Sequence, residues 1–215
     1  MKKLSVILML VLSAIMIMPS CSSTSNLEKA RARQAEAKMK EFKKGGWTIY
    51  GTPKSLEVAL LEYYDALKDP NMKEEMGEAS AFVSKSVGSQ MALNSAMIKY
   101  AQKASSHMRG RVIRDIFGNA DEVPEEFDKF YAAYENKVEA EIKGEVVPCF
   151  SVIRSKGKGE KGQEVFEMQT YCLVNESAAS KARLRALEDA MKESAAAQKY
   201  AKQVSDFVQE AFKEE

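Results

Sequence analysis

The chain has 215 residues, with 32 basic and 31 acidic side chains, a single histidine and 45% hydrophobic content. So even a balance lacks the excess of positive charge that nucleic-acid or polybasic-lipid binding draws on, and the apolar share is that of a globular protein rather than a disordered one. One histidine and three cysteines give no ligand set for a metal centre and leave any nucleophile–base pair dependent on that histidine.

The first 20 residues read as an export signal. Lys2 and Lys3 precede an apolar run from Leu4 to Met18, broken by Ser5 and Ser13, and Pro19-Ser20-Cys21 closes it. The run is shorter than the ~20 apolar residues needed to cross a ~30 Å hydrocarbon core. An ordinary cleavage site would put the large Met18 at −3. A lipoprotein signal peptidase needs a small residue before a cysteine, and Ser20-Cys21 supplies it. Met18 and Pro19 depart from the usual Leu-Ala/Ser-Gly/Ala-Cys pattern, although the SCSS ending resembles the relaxed lipoboxes of Bacteroidota. Cys21 is therefore expected to carry acyl chains, each buried CH₂ adding about 0.8 kcal/mol of membrane affinity. Residues 21–26 then form the lipidated cysteine and a polar tether. Ser22 is not the Asp of an inner-membrane retention signal, which points to an outer-membrane anchor with the domain facing the periplasm. With Lys2 and Lys3 removed, 30 basic side chains face 31 acidic ones.

Residues 27–45 are rich in Ala, Lys and Glu and stop at Gly45-Gly46, as a solvated helix with a glycine cap does. Trp47 to Tyr50 alternates aromatic and β-branched residues and predicts a short strand. Ser55 caps a helix carrying Leu56, Ala59, Leu60, Tyr63, Tyr64 and Leu67, stopped by Asp69-Pro70. Met76 to Val83 predicts a second strand containing Gly77, and a long helix follows from about Val87 to Phe117. Pro124-Glu125-Glu126 opens another helix, with Phe127, Phe130, Tyr131, Tyr134 and Val138 on one face, ending near Gly144. Val146–Arg154 and Val165–Val174 are strands of a hairpin around the glycine-rich stretch 157–162. That stretch is no phosphate cradle, because its lysines are not followed by Ser or Thr opening a helix. From Glu176 to Phe212 one helical pattern persists, which would reach roughly 50 Å unbroken. The expected fold is α+β: residues 46–175 form a small antiparallel sheet packed on a long helix, with a long N-terminal helix at 27–45 and a long C-terminal helix at 176–215.

Trp47 opening a strand, Gly77 in the next one, and an Ala-rich helix with Ala92, Ala96, Ala101 and Ala104 resemble the LPP-twenty lipoprotein family of Helicobacter. Its domain is similar to the N-terminal domain of the flagellar assembly protein T. The resemblance covers roughly residues 46–190 and rests on Trp, Gly and Ala rather than on reactive residues. It implies a membrane-associated lipoprotein without a catalytic centre, so no catalytic residues carry over. The helix at 125–143 and the long terminal helices depart from the family pattern.

Little in the chain points to chemistry. His107, Arg111 and Arg114 fall at i, i+4 and i+7 of the long helix and form a short basic stripe, either an anion or headgroup contact or a solvated face paired with acids. No cofactor and no metal site is expected. A hairpin centred between Glu160 and Lys161 sets Cys149 opposite Cys172 on one apolar face, where they either form a cross-strand disulfide or remain buried thiols. A slip of one residue would put them on opposite faces. Two function classes follow. One is a non-enzymatic envelope lipoprotein that binds a protein partner or itself through the long helices, with Leu187, Tyr200 and Phe207 on the docking stripe. The other is a lipid or small-ligand carrier, which requires an apolar cavity over the sheet.

Overall fold

The structure, a computed structural model, describes residues 22–210, with side chains described for 29–208. The expected signal segment and Cys21 lie outside the described residues. The elements are α1 (Ser22–Lys44), β1 (Thr48–Tyr50), α2 (Leu56–Ala66), β2 (Met72–Phe82), α3 (Lys85–Val112), α4 (Glu126–Glu141), β3 (Val146–Lys158), β4 (Glu164–Asn175), α5 (Glu176–Lys192), α6 (Ala195–Lys199) and α7 (Ala201–Glu210). The bounds of α1 take in residues 22–26, expected as a flexible polar tether.

The four strands form one antiparallel sheet in the order β1-β3-β4-β2. Successive side chains of a strand point to opposite faces, so β4 builds two layers at once. Tyr171 and Leu173 join Phe150 and Val152 under α1 and α2, where Phe42, Leu60 and Tyr63 complete a buried cluster. Cys172 and Val174 face the other way, toward α3, α4 and α5. Near the far end of the sheet, Met168 and Ile153 meet Ala79, Phe82 and Ala92. The molecule is thus a sheet covered on both faces by helices.

Local signals place these elements. The Ser55 side chain accepts a hydrogen bond from the Val58 N–H at 3.2 Å and starts α2. Asn175 does the same for α5 through the Ala178 N–H at 3.1 Å, so β4 passes straight into the helix. In α4, Phe127, Phe130, Tyr131, Tyr134 and Val138 are all buried, as their spacing predicts. The helix α3 ends in a single π-turn at Ile113–Phe117, closed by Gly118 at φ 76°. That glycine supplies a left-handed residue without the steric cost a Cβ would bring.

The helix α3 lies directly on β2. A Cβ on Gly77 would stand 1.8 Å from the Ala92 carbonyl oxygen and 2.5 Å from the Ala96 nitrogen. Backbone therefore touches backbone here, and Ala92, Ala96, Ala101 and Ala104 keep that side of the helix thin. One turn earlier, the Phe82 ring covers Gly88 in the same way.

Two expectations are corrected. The strand β2 begins at Met72, four residues before the predicted start. Among the described residues the single C-terminal helix is three: α5 stops at Lys192, the Ser194 side chain caps α6 through the Ala197 N–H at 3.2 Å, and a further break at Tyr200 starts α7. The chain folds back so that Val204, Phe207 and Val208 are buried against the core, which gives the apolar stripe cover that an unbroken helix would have lacked.

Gly77→Ala is expected to lower unfolding free energy by about 3 kcal/mol, because backbone atoms must move apart to admit the methyl group. Gly110, on an exposed part of α3 with no atom near its Cβ position, gives the opposite result. Gly110→Ala raises stability by about 1 kcal/mol, and urea denaturation reads both.

Candidate functional site

The residues singled out from sequence do not gather into one site. The β3–β4 pairing follows the expected register from Phe150↔Tyr171 to Ser155↔Phe166, but Cys172 pairs with Pro148. Cys149 is the extra residue of a bulge at that point. Both cysteines are free thiols, Cys149 exposed and Cys172 buried. Cys149 lies near Glu62, Lys54 and Tyr63, on the α2 side, whereas Cys172 faces α3. The bulge therefore separates the thiols across the sheet, and the cross-strand disulfide is not formed. Burial pushes the Cys172 thiol up to about 12, so it is not a nucleophile at neutral pH.

The residues expected on a docking stripe lie inside the molecule or against it. Leu187 and Phe207 are buried at 1% and 6% exposure, and the Tyr200 ring packs edge-on to Phe117 at 5.3 Å between centroids. The basic stripe on α3 is matched by acids: the Arg111 and Arg114 Nε atoms donate to Asp115 at 2.6 and 2.8 Å, and Arg109 pairs with Asp128 at 3.2 Å. Arg111 also covers the Phe207 ring at 4.7 Å, so it helps to hold α7 on α3. His107 is half-buried on the same helix.

Two polar arrangements lie outside the residues that the sequence points to. The first is inside. The Arg183 side chain on α5 is 1% exposed, donates to both oxygens of Glu176 and to the Tyr100 hydroxyl of α3, and has Tyr134 of α4 beside it. Burial works to lower its pKa, but the Glu176 hydrogen bonds and the Tyr100 and Tyr134 contacts outweigh it and leave the guanidinium firmly charged. The pair ties the first turn of α5 to α3. Nothing in an Ala/Lys/Glu/Arg-rich helical pattern marks one arginine as the buried one.

The second is a cleft of about 610 Å³ along the outer edge of β2. Glu74, Glu75 and Met76 line it from the strand. Lys38 of α1 and Tyr64 of α2 close one side, and Lys99 and Lys103 of α3 close the other. The Tyr63 hydroxyl donates to Glu74 at 3.0 Å, and Glu75 accepts from the Met76 N–H at 3.2 Å. Burial holds the Glu75 carboxyl above the ordinary carboxylate range, with Lys99 and Lys103 acting the other way. Its lining sets three lysines and two carboxylates beside the rings of Tyr63, Tyr64 and Tyr171 and the side chains of Leu60 and Met76. A sequence signal did exist: Lys73-Glu74-Glu75 opens a strand with charges, as edge strands often do.

A second groove of about 620 Å³ runs between α5 and α7, lined by Leu184, Leu187, Met191 and Ala201 with Lys192 and Lys202 at its margin. Among the described residues no group of three or more His, Cys, Asp or Glu side chains is placed to hold a metal ion. No family model matches the chain, and no curated protein or solved structure matches it either.

Two outcomes follow from these groups. Glu176→Ala leaves Arg183 buried without its carboxylate and is expected to cost about 3 kcal/mol, whereas Arg183→Met combined with Glu176→Leu ends near wild type, as apolar replacement of a buried pair does; chemical denaturation of the single and double variants measures the difference. The fold favours the neutral form of Glu75, so the contribution of this group to stability is fully present below the ordinary value of 4.5 and is lost as pH rises through the raised folded value. Glu75→Gln should therefore raise the thermal midpoint at pH 7 and leave it unchanged at pH 4.

Proposed function

We propose that this chain is a non-enzymatic lipoprotein of the bacterial envelope, anchored through acyl chains on Cys21 and binding a protein partner with its α+β domain. The observation that carries the reading is the run Leu4–Met18 closed by Ser20-Cys21. An outer-membrane anchor facing the periplasm follows from Ser22 as the residue after the cysteine. Among the described residues no helix is long and apolar enough to cross a membrane, and this reading assigns the membrane contact to Cys21.

The helix α1 fits the arrangement as a stalk. Its 23 residues span about 34 Å, with Ala35 and Phe42 buried toward the domain end. The likeness to the LPP-twenty family supports the same reading through Gly77, Ala92 and Ala96, which meet at the helix–sheet contact. That contact is a packing device, so the likeness speaks to architecture and not to a shared partner.

The carrier alternative needs an enclosed apolar cavity over the sheet. Both faces of the sheet are instead filled by buried side chains, with Phe42, Leu60 and Tyr63 on one side and Ala92, Ala96 and Ala101 on the other. Partner binding is the better-supported class.

Expression in a bacterial host with labelled palmitate tests the anchor. The wild-type chain is expected to take up label and to sediment with membranes, and Cys21→Ser to do neither. A Cys21→Ser chain that stays with the membrane would sink the lipoprotein reading.

A further inference from the structure

The sheet has two edges, and they are finished differently. On one side β1 covers three residues of β3, from Ser151 to Ile153. The stretch of β3 beyond it carries Pro148 and the Cys149 bulge, both of which obstruct pairing. On the other side β2 runs for eleven residues and, among the described residues, pairs with β4 alone.

The phase of the β2–β4 ladder fixes which backbone groups face outward. The Glu176 N–H donates to the Asn71 carbonyl at 2.8 Å, and this register continues into Met72↔Asn175. Alternate residues of an antiparallel strand turn both backbone groups the same way. Lys73, Glu75 and Gly77 therefore point at β4, and Glu74, Met76 and Glu78 point away from it. At Met76 the outward N–H is taken by the Glu75 carboxylate. A side chain holds the place where the carbonyl of a neighbouring strand would sit. This happens in the 610 Å³ cleft, between Lys38 and Tyr64 on one wall and Lys99 and Lys103 on the other.

We propose that the free edge of β2 receives an extended segment of a partner protein as a fifth strand, with basic side chains two positions to either side of an apolar one. Backbone pairing of this kind supplies affinity, and alternate side chains supply specificity. Residues directly opposite across a ladder share a face. A strand centred on Met76 places its basic residues opposite Glu74 and Glu78 and its apolar residue beside Met76. Lys99 reaches Glu78 at 3.4 Å, but both groups are about half exposed, and such a pair is weak enough not to exclude a second cation. A second copy of β2 fits badly: a two-fold axis at Met76 would set Glu74 opposite Glu78 twice, like charge against like.

The proposal specifies the partner-binding half of the function given above and is independent of the anchor. A Cys21→Ser chain that stayed membrane-bound would overturn lipidation without bearing on the cleft.

The test uses the purified full chain in detergent micelles, titrated calorimetrically with the acetylated and amidated peptide Ser-Lys-Thr-Val-Thr-Lys-Ser and with its counterpart in which Glu replaces Lys. The pattern reads alike in both directions, so strand polarity does not enter. The lysine peptide is expected to bind and to slow hydrogen exchange at the Met76 amide, and the glutamate peptide is not. Glu75→Ala frees the Met76 N–H and should tighten binding about fivefold, the worth of one hydrogen bond. Glu78→Pro should abolish binding, because its N–H points away from β4 and the ring blocks the edge without breaking the ladder; an unchanged circular dichroism melt confirms that it folds. Absence of lysine-peptide binding, equal binding of the glutamate peptide, or binding that survives Glu78→Pro would each overturn the proposal. So would dimerisation of Glu75→Ala in sedimentation, which would give the edge to a second copy.

Discussion

The absence of a side chain at Gly77 is the constraint on which the rest of the architecture depends. Because nothing projects from β2 at that point, α3 sits with its backbone against the strand. From there it reaches everything else on that side of the sheet. Its Ala96, Ala101 and Ala104 join one buried cluster with Phe127 and Tyr134 of α4, Leu187 of α5 and Phe207 of α7. A helix held a few ångströms further out would open a gap over Cys172 and Val174, and interiors tolerate such voids poorly. Small residues at a contact give up area of their own, but they let larger neighbours close around them.

Polar groups are placed with the same economy. Arg183 is buried, yet each of its ties runs to an element that needs fixing: Glu176 at the start of α5, Tyr100 on α3, Tyr134 on α4. Buried ion pairs contribute little net stability against apolar substitutes. What this one adds is a fixed link between three helices, since Glu176, Tyr100 and Tyr134 stand on α5, α3 and α4. Arg154 does comparable work at the surface, covering the Trp47 ring at 4.4 Å and donating to the Gly45 carbonyl at 3.1 Å. It thereby clamps the turn that joins α1 to β1.

Much of this order is legible in the amino-acid pattern, and the failures are physical ones. The period of α4 and the cap at Ser55 are local events, and local events leave local traces. The expected hairpin register holds where both strands alternate regularly. It breaks at Cys149, because a bulge after Pro148 depends on what the neighbouring strand and α2 require. The first turns of β2 were hidden because Lys73, Glu74 and Glu75 look like loop when the helices that flank the strand are unknown. In the C-terminal segment, Ala, Lys and Glu dominate on both sides of Ser194, so the cap is one polar residue in a uniformly helical background. The break there is a tertiary decision, made by the gain from laying Phe207 and Val208 on the core. The cleft leaves only a partial trace, the charged opening of β2, because its residues come from α1, α2, β2 and α3 and only the fold brings them together.

The difference between the two sheet edges has a further consequence. Proteins that accept a strand at both ends of a sheet can add copies without limit and grow into fibres. Here Pro148 and the bulge at Cys149 obstruct pairing along the start of β3, and on β2 the Glu75 carboxylate occupies the outward N–H of Met76. The two edges are therefore guarded by different means, backbone geometry at one and a single side-chain hydrogen bond at the other.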